Sequence, residues 1–317
     1  MPDPTPAEIA RRYTRRAFSV LRVAAGLASS ADADVRRLGR EVTAIIVAAG
    51  LEEIGRRDLA ALEREIEAAV SAAFARIGAA QVEAAREVVR IEAAWAAGVI
   101  GAGEPSESMT QRMLRGLLVL GASPGEQWTR QGDVLTRRLG DAVRDAAQVP
   151  ASAGVIRETV ADIISTARRD AQSLAEVTTT SAAAQGRAEV ARASGAVGFR
   201  WLSILDMNTT TGCAIRHGLV YSLDYQPIGH SIPIERPPPR HWGCRSMLAP
   251  LLRMPREGDR DEGTFDDWLA TLSDDEAADV LGKGRADLYR RKVITKADLV
   301  NQRGRVLTLK ELRSRID

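Results

Sequence analysis

Cysteine is nearly absent from this chain, with two among 317 residues. Two cysteines exclude a disulfide framework, and a reduced, cytosolic origin is the default expectation. Aromatic residues are also scarce, at 4%, while alanine supplies much of the 45% hydrophobic content. That balance argues against a β-sandwich, which draws on aromatic and β-branched side chains, and favours helices packed through small ones. Charge of one sign is missing too: 44 Lys and Arg stand against 42 Asp and Glu. At a net charge of +2, no global field draws the chain onto nucleic acid or an anionic membrane. The longest apolar stretch, Val42 to Leu51, contains Thr43 and Gly50 and falls far short of the ~20 residues that span a bilayer. The opening, Met1-Pro2-Asp3-Pro4-Thr5-Pro6, lacks the basic-then-apolar pattern of a leader. A soluble protein with no membrane partner is expected.

What is present is helical for most of the chain. Ala7 to Leu27 reads as one helix. Ser29-Ser30 followed by Asp32 and Asp34 reads as the start of a second, which runs to about Gly50. From Leu59 a stripe of Leu62, Ile66, Ala69, Ala73, Ile77, Ala80, Ala84, Val88, Ile91 and Trp95 recurs at steps of three and four. It predicts a helix of roughly 35–40 residues, about 55 Å long, and therefore an elongated antiparallel bundle. Ser123-Pro124-Gly125-Glu126 has the form of a capping box with proline in the first turn, and Pro150 stops that helix. Further helices carry Val155, Thr159, Ile163 and Ala167, then Ser181 to Ser194.

The character changes near Gly198. Phe199 to Leu205 and Leu219 to Tyr221 read as strands separated by a polar loop. Pro227, Pro233 and Pro237-Pro238-Pro239 then admit no helix and no central strand. A charged linker, Arg256 to Gly263, leads to short helices with capping-box spacing at Ser273 and Glu276, Thr295 and Asp298, and Thr308 and Glu311. The expected fold is mainly α. An elongated helical region (1–195) precedes a small β and loop domain (196–255) and a short helical extension (256–317).

All five cysteines and histidines lie in one window: Cys213, His217, His230, His241 and Cys244. Cys213-x3-His217 and His241-x2-Cys244 are two compact pairs, and two such pairs complete the tetrahedron that zinc prefers. One reading is a closed structural zinc site held by Cys213, His217, His241 and Cys244, which clamps a region poor in apolar residues. The other is a metal-free loop domain of buried, hydrogen-bonded thiols and histidines. His230, with no neighbour at ligand spacing, is expected at the surface and outside any such site.

The segment from Phe199 to Thr209 (Phe-Arg-Trp-Leu-Ser-Ile-Leu-Asp-Met-Asn-Thr), Cys213, His217-Gly218 and Tyr221 resemble one known pattern. So does the run Pro238-Pro239-Arg240-His241-Trp242-Gly243-Cys244-Arg245-Ser246. The pattern is that of the phage Mu protein F-like head morphogenesis domain. The second run matches the family's order of residue types without a gap. The first departs from the commonest Cys-x2-Cys form, since Arg216 stands at the second position with His217 beside it. The resemblance covers about Leu174 to Leu312. It implies a minor head protein of a tailed phage or gene transfer agent, made in the host cytoplasm and retained in the head near the portal. The implied partners are the portal protein and other head-assembly proteins; by analogy with helical bundles, a further copy of the chain is also expected as a partner.

Two rival functions are weighed against this. An enzyme would need a nucleophile and base drawn from Asp206, His217, His241 and Cys244. His241 and Cys244 are three apart in one loop, where such neighbours rarely face each other. Val280-Leu281-Gly282-Lys283-Gly284-Arg285 lacks the spacing of a phosphate-binding loop, so Gly282 and Gly284 read as helix punctuation. No catalytic residue is assigned. A DNA-contacting module would use Arg236, Arg240, Arg245 and Arg253, with Trp242 stacked on a base or else filling a small core. Weak contact with packaged DNA is compatible with the head role. Asp206 and Thr209 are expected to be structural, the aspartate accepting backbone N–H groups in an Asx-type turn.

Overall fold

Alanine, leucine, arginine and glutamate have high helix propensity, and together they dominate the first half of the chain. In the computed structural model, which describes residues 4–50, 56–148, 153–256 and 263–316, this half forms three long helices and two shorter ones. They are α1 (Pro6–Ala49), α2 (Arg56–Ile100), α3 (Glu107–Arg115), α4 (Pro124–Gln148) and α5 (Ala153–Ala193). The fold is mainly helical, with one small antiparallel sheet, as the composition implies.

Two expected helix breaks are absent. α1 runs through Ser29, whose hydroxyl donates to the Ala25 carbonyl at 2.9 Å and so bonds back into its own helix instead of capping a new one. Asp32 is buried mid-helix, held by Arg168 of α5 at 2.7 Å and by Arg36 at 2.6 Å. α5 likewise continues through its threonine run. Thr179 and Thr180 satisfy their hydroxyls on the carbonyls of Ala175 and Glu176, four residues back. The capping box at Ser123 forms as expected: Ser123 N–H donates to Glu126 Oε2 at 2.8 Å, and Glu126 N–H to Ser123 Oγ at 3.3 Å. Pro150, the expected stop, lies outside the described residues.

The inward face of α2 differs from the expected stripe beyond Ile77. Buried positions recur every eleven residues, as Ile66, Ile77, Val88 and Val99, and as Val70, Gln81 and Glu92. That is 3.67 residues per turn against the 3.6 of an ideal helix. The drift turns Ile91 outward, where it is 46% exposed, and brings Glu92 inside at 3%.

The described residues form two compact units, each assembled from separate stretches. One comprises Leu21–Val88 and Gly116–Ala182; the other comprises Met1–Val20, Val89–Arg115 and Ala183–Asp317. These units do not follow a linear division at residues 195 and 255, because α1, α2 and α5 each contribute to both. The first unit has a continuous apolar core that includes Leu38, Ile66, Phe74, Trp128, Leu139 and Leu174. In the second, buried Glu92 accepts from Arg16 Nε at 2.9 Å and Arg187 Nε at 2.8 Å, and Arg187 lies 5.0 Å from the Trp95 ring.

The rest of this second unit carries the sheet. Strands β1 (Gly198–Leu202), β2 (Val220–Tyr221), β3 (Pro227–Ile228) and β4 (Met247–Leu251) pair antiparallel in the order β3-β2-β1-β4. β1 ends three residues before the expected Leu205. β3 and β4 each contain a proline and both lie at an edge of the sheet, where a missing N–H is tolerated. Between β1 and β2 sits the one-turn helix α6 (Thr211–Ala214).

Four further helices follow: α7 (Phe265–Ala270), α8 (Asp274–Leu281), α9 (Lys283–Arg290) and α10 (Leu309–Ile316). The expected boxes at Ser273 and Thr308 cap α8 and α10. The Thr295–Asp298 pair forms its hydrogen bonds but starts only a turn, because Val300 bridges to Val306 and draws the chain out of helical register. Gly282, at φ +82°, separates α8 from α9. The tail is not a separate extension: Phe265, Val280, Leu299, Leu307 and Leu312 share one core with Ala214, Ile215 and Ile232. Most of the expected charged linker, 257–262, lies outside the described residues. No helix among the described residues is long and apolar enough to cross a membrane.

Candidate metal centre

The pairing of β1 with β4 brings two distant segments together. Leu202 lies opposite Met247, so the loop that leaves β1 and the loop that enters β4 start from the same end of one ladder. The first loop carries Asp206, Thr209 and, on α6, Cys213. The second carries His241, Cys244, Arg245 and Ser246.

Three side chains converge between them. Cys213 Sγ is 3.4 Å from His241 Nε2 and 3.9 Å from Cys244 Sγ, and the three donor atoms all lie within 4.8 Å of one another. At a zinc–sulfur distance of ~2.3 Å, two ligands of a tetrahedral ion lie about 3.8 Å apart. The two sulfurs have that spacing, and both thiols are free and buried. His241 Nδ1 lies 2.8 Å from the Trp242 carbonyl, to which it donates, leaving Nε2 as the nitrogen that faces the sulfurs. Hydrogen bonding from Cys244 and His241 holds the Cys213 thiol well below the usual thiol range. The neighbouring Cys213 sulfur and burial push Cys244 up, and Cys213 raises His241. These three residues could hold a metal ion.

His217, expected as the fourth ligand, does not join them. The turns after α6 are closed by i to i+3 bonds, Arg216 N–H to Cys213 O and His217 N–H to Ala214 O. In such a 3₁₀-like turn, with three residues per turn, position i+4 is rotated ~120° from position i, and His217 therefore points away from Cys213. It is buried elsewhere, with Nδ1 accepting the Ser203 N–H at 3.0 Å, and burial lowers its pKa. His230 also stands apart. It is half-buried rather than at the surface, bonded to the Val220 carbonyl at 2.8 Å and to the Ile232 N–H at 3.1 Å, with its ring 4.8 Å from Tyr221.

Asp206 makes the expected Asx-type turn, accepting the Asn208 N–H at 2.9 Å, and Thr209 donates to it at 3.1 Å. It also binds Arg245 through both carboxylate oxygens, one at 2.6 Å. This pair ties the two loops together and lowers the Asp206 pKa. Arg240 is paired with Glu235 at 3.2 Å, so two of the four arginines of the expected basic group already have acidic partners. Trp242 fills no core; it is 46% exposed.

The residue that sequence reading missed is Arg216. It is fully buried and has no carboxylate at salt-bridge distance among the described residues. Its guanidinium donates to the carbonyls of Gly212, Pro233 and Gly304, the last two at 2.7 Å. Burial lowers its pKa to about 10, which leaves it charged at neutral pH. An arginine three residues after a cysteine carries no local sign of this role, since all but one of its acceptors come from distant loops. Ser203 is a second hidden contributor: its hydroxyl accepts from Trp201 Nε1, donates to the Cys213 carbonyl and meets the Ser246 hydroxyl, each at 2.9 Å.

No family model, curated protein or solved structure matched the chain.

Proposed function

We propose that this protein is a minor head protein of a tailed phage or gene transfer agent, similar to the phage Mu protein F-like family. In this reading it acts in capsid assembly beside the portal and is retained in the virion head. One observation supports it above the others. Asp206, Thr209 and Cys213, together with His241, Cys244, Arg245 and Ser246, carry the resemblance from two distant segments, and they meet in a single site.

In this reading the site binds zinc through Cys213, His241 and Cys244, and the ion is a structural clamp. Two sulfurs and one imidazole are a donor set that zinc favours, and the sulfur spacing suits a shared ion. In this reading the protein is a component of the particle and not an enzyme, and the cavity at Cys213 and His241, about 10 Å³, has no room for a substrate at the metal. Its partners are the portal and other head proteins, with further copies of itself. Contact with packaged DNA is weak, since Arg240 and Arg245 already have acidic partners.

Electron-microscopic localisation of a tagged copy in assembled particles tests the proposal. Density beside the portal vertex is the expected result. Absence from the particle, or an even distribution over the shell, overturns it. For the metal, elemental analysis of purified protein is expected to give about one zinc per chain.

A further inference from the structure

Zinc takes four ligands in a tetrahedral site, and the group at Cys213, His241 and Cys244 supplies three. No further cysteine or histidine can complete it. His217 holds the Ser203 N–H, His230 is bonded to Val220 and Ile232, and the chain contains no others. Asp206 is engaged by Arg245, Asn208 and Thr209.

The cavity of about 10 Å³ adjoins Cys213 and His241 and is lined by Asn208, Thr209, Thr210, Arg245 and Ser246. That is room for one water molecule, and the lining offers the polar partners a confined water needs. Thr210 Oγ1, 3.2 Å from His241 Nε2, and the Ser246 hydroxyl, 2.9 Å from Ser203, are neutral hydroxyls outside the usual thiolate, imidazole and carboxylate donors.

We propose that the metal site takes its fourth ligand from solvent, a single water in the cavity beside Cys213 and His241 that a small monodentate anion can replace. This rests on the metal reading above. Two thiolates already balance the charge of a divalent ion, so the position accepts a neutral water, which a small anion can displace by bonding the metal directly. The position takes one small ligand at a time and is partly open to solvent. It is therefore an exchangeable coordination site in an otherwise structural clamp, where the closed four-residue set expected from sequence would have had none.

The test is cobalt substitution of the 317-residue chain, read by visible absorption with sodium azide as the probe. Uptake of one cobalt per chain is expected, with the intense bands of a four-coordinate thiolate site that shift and saturate as azide is added. The azide-free spectrum should be unchanged in His217→Ala, which removes the remaining histidine expected at the site. A spectrum indifferent to azide, or one altered by His217→Ala, leaves the metal reading intact and overturns the solvent ligand. Failure to take up cobalt at all overturns the metal reading and this proposal with it. Should His217→Ala fail to fold, the azide response of the unsubstituted protein decides.

Discussion

Arg216 is a cationic cross-link in a region with few apolar residues. Its guanidinium satisfies carbonyls from three segments, and no shorter or less branched donor reaches all of them. Arg216→Met should leave those carbonyls without partners and cost about 3 kcal/mol or more, read as a fall in urea midpoint at unchanged slope. Asp206→Asn keeps the Asx turn but loses the charged fork with Arg245. Because the pair is partly exposed, a loss of about 1 kcal/mol is expected in the same assay. His217 adds a pH dependence. Burial lowers its folded pKa, so the unfolded chain binds the proton first as pH falls. The stability contributed by the neutral ring is complete above the unfolded pKa of ~6.5. It is lost between there and the lower folded value, below which the loss levels off. Urea midpoints taken from pH 8 to 5 should fall across that window, and fall less in His217→Gln. An identical slope in both proteins would assign the effect to His230, which burial also lowers.

The long helices approach one another through small residues, and the glycines show where that approach is closest. A Cβ at Gly186 of α5 would lie 2.6 Å from the Val89 carbonyl oxygen of α2, so these two backbones are nearly in contact. Gly186→Ala should force them apart and cost about 1–3 kcal/mol. Gly26 of α1 has nothing within 4 Å of the same atom. Gly26→Ala should therefore stabilise by roughly 0.5–1 kcal/mol, through helix propensity alone. Thermal unfolding of the two variants checks the pair, and shifts of the same sign would contradict this packing. At the same contact between helices, Glu92 is shared by Arg16 and Arg187, a buried triad that an isolated helix could not sustain.

At the scale of the whole molecule, the cores set which parts depend on the metal. The core that includes Leu38, Phe74, Trp128 and Leu174 consists of helical residues apart from Val119, which bridges to Ala122 just before α4. The cluster around the site is small: Trp201, Cys213, Tyr221 and Cys244 are its buried members. Chelation of the 317-residue chain should therefore raise hydrogen exchange across 206–246 while leaving the helices around Leu38, Phe74, Trp128 and Leu174 protected. Equal loosening of both would contradict the independence of that core.

Elements governed by short-range chemistry were legible from the residues themselves. Alanine content gave the helices, Ser123, Ser273 and Thr308 gave their starts, and Pro227, read as incompatible with a central strand, lies on the edge strand β3. The convergence of Cys213 with His241 and Cys244 was legible too, because no other cysteine lies elsewhere and each histidine falls in the same window. What required the tertiary structure was every choice between competing local options. Ser29 can cap or bond back, and the continuity of α1 depends on Asp32 finding Arg168 on another helix. Glu92 looks like a surface residue until two arginines from other helices surround it. His217 stands at a spacing that suits a metal, but a tight turn and the Ser203 N–H direct it away. In each case the deciding partner is distant in sequence, and a local pattern carries no information about such a partner.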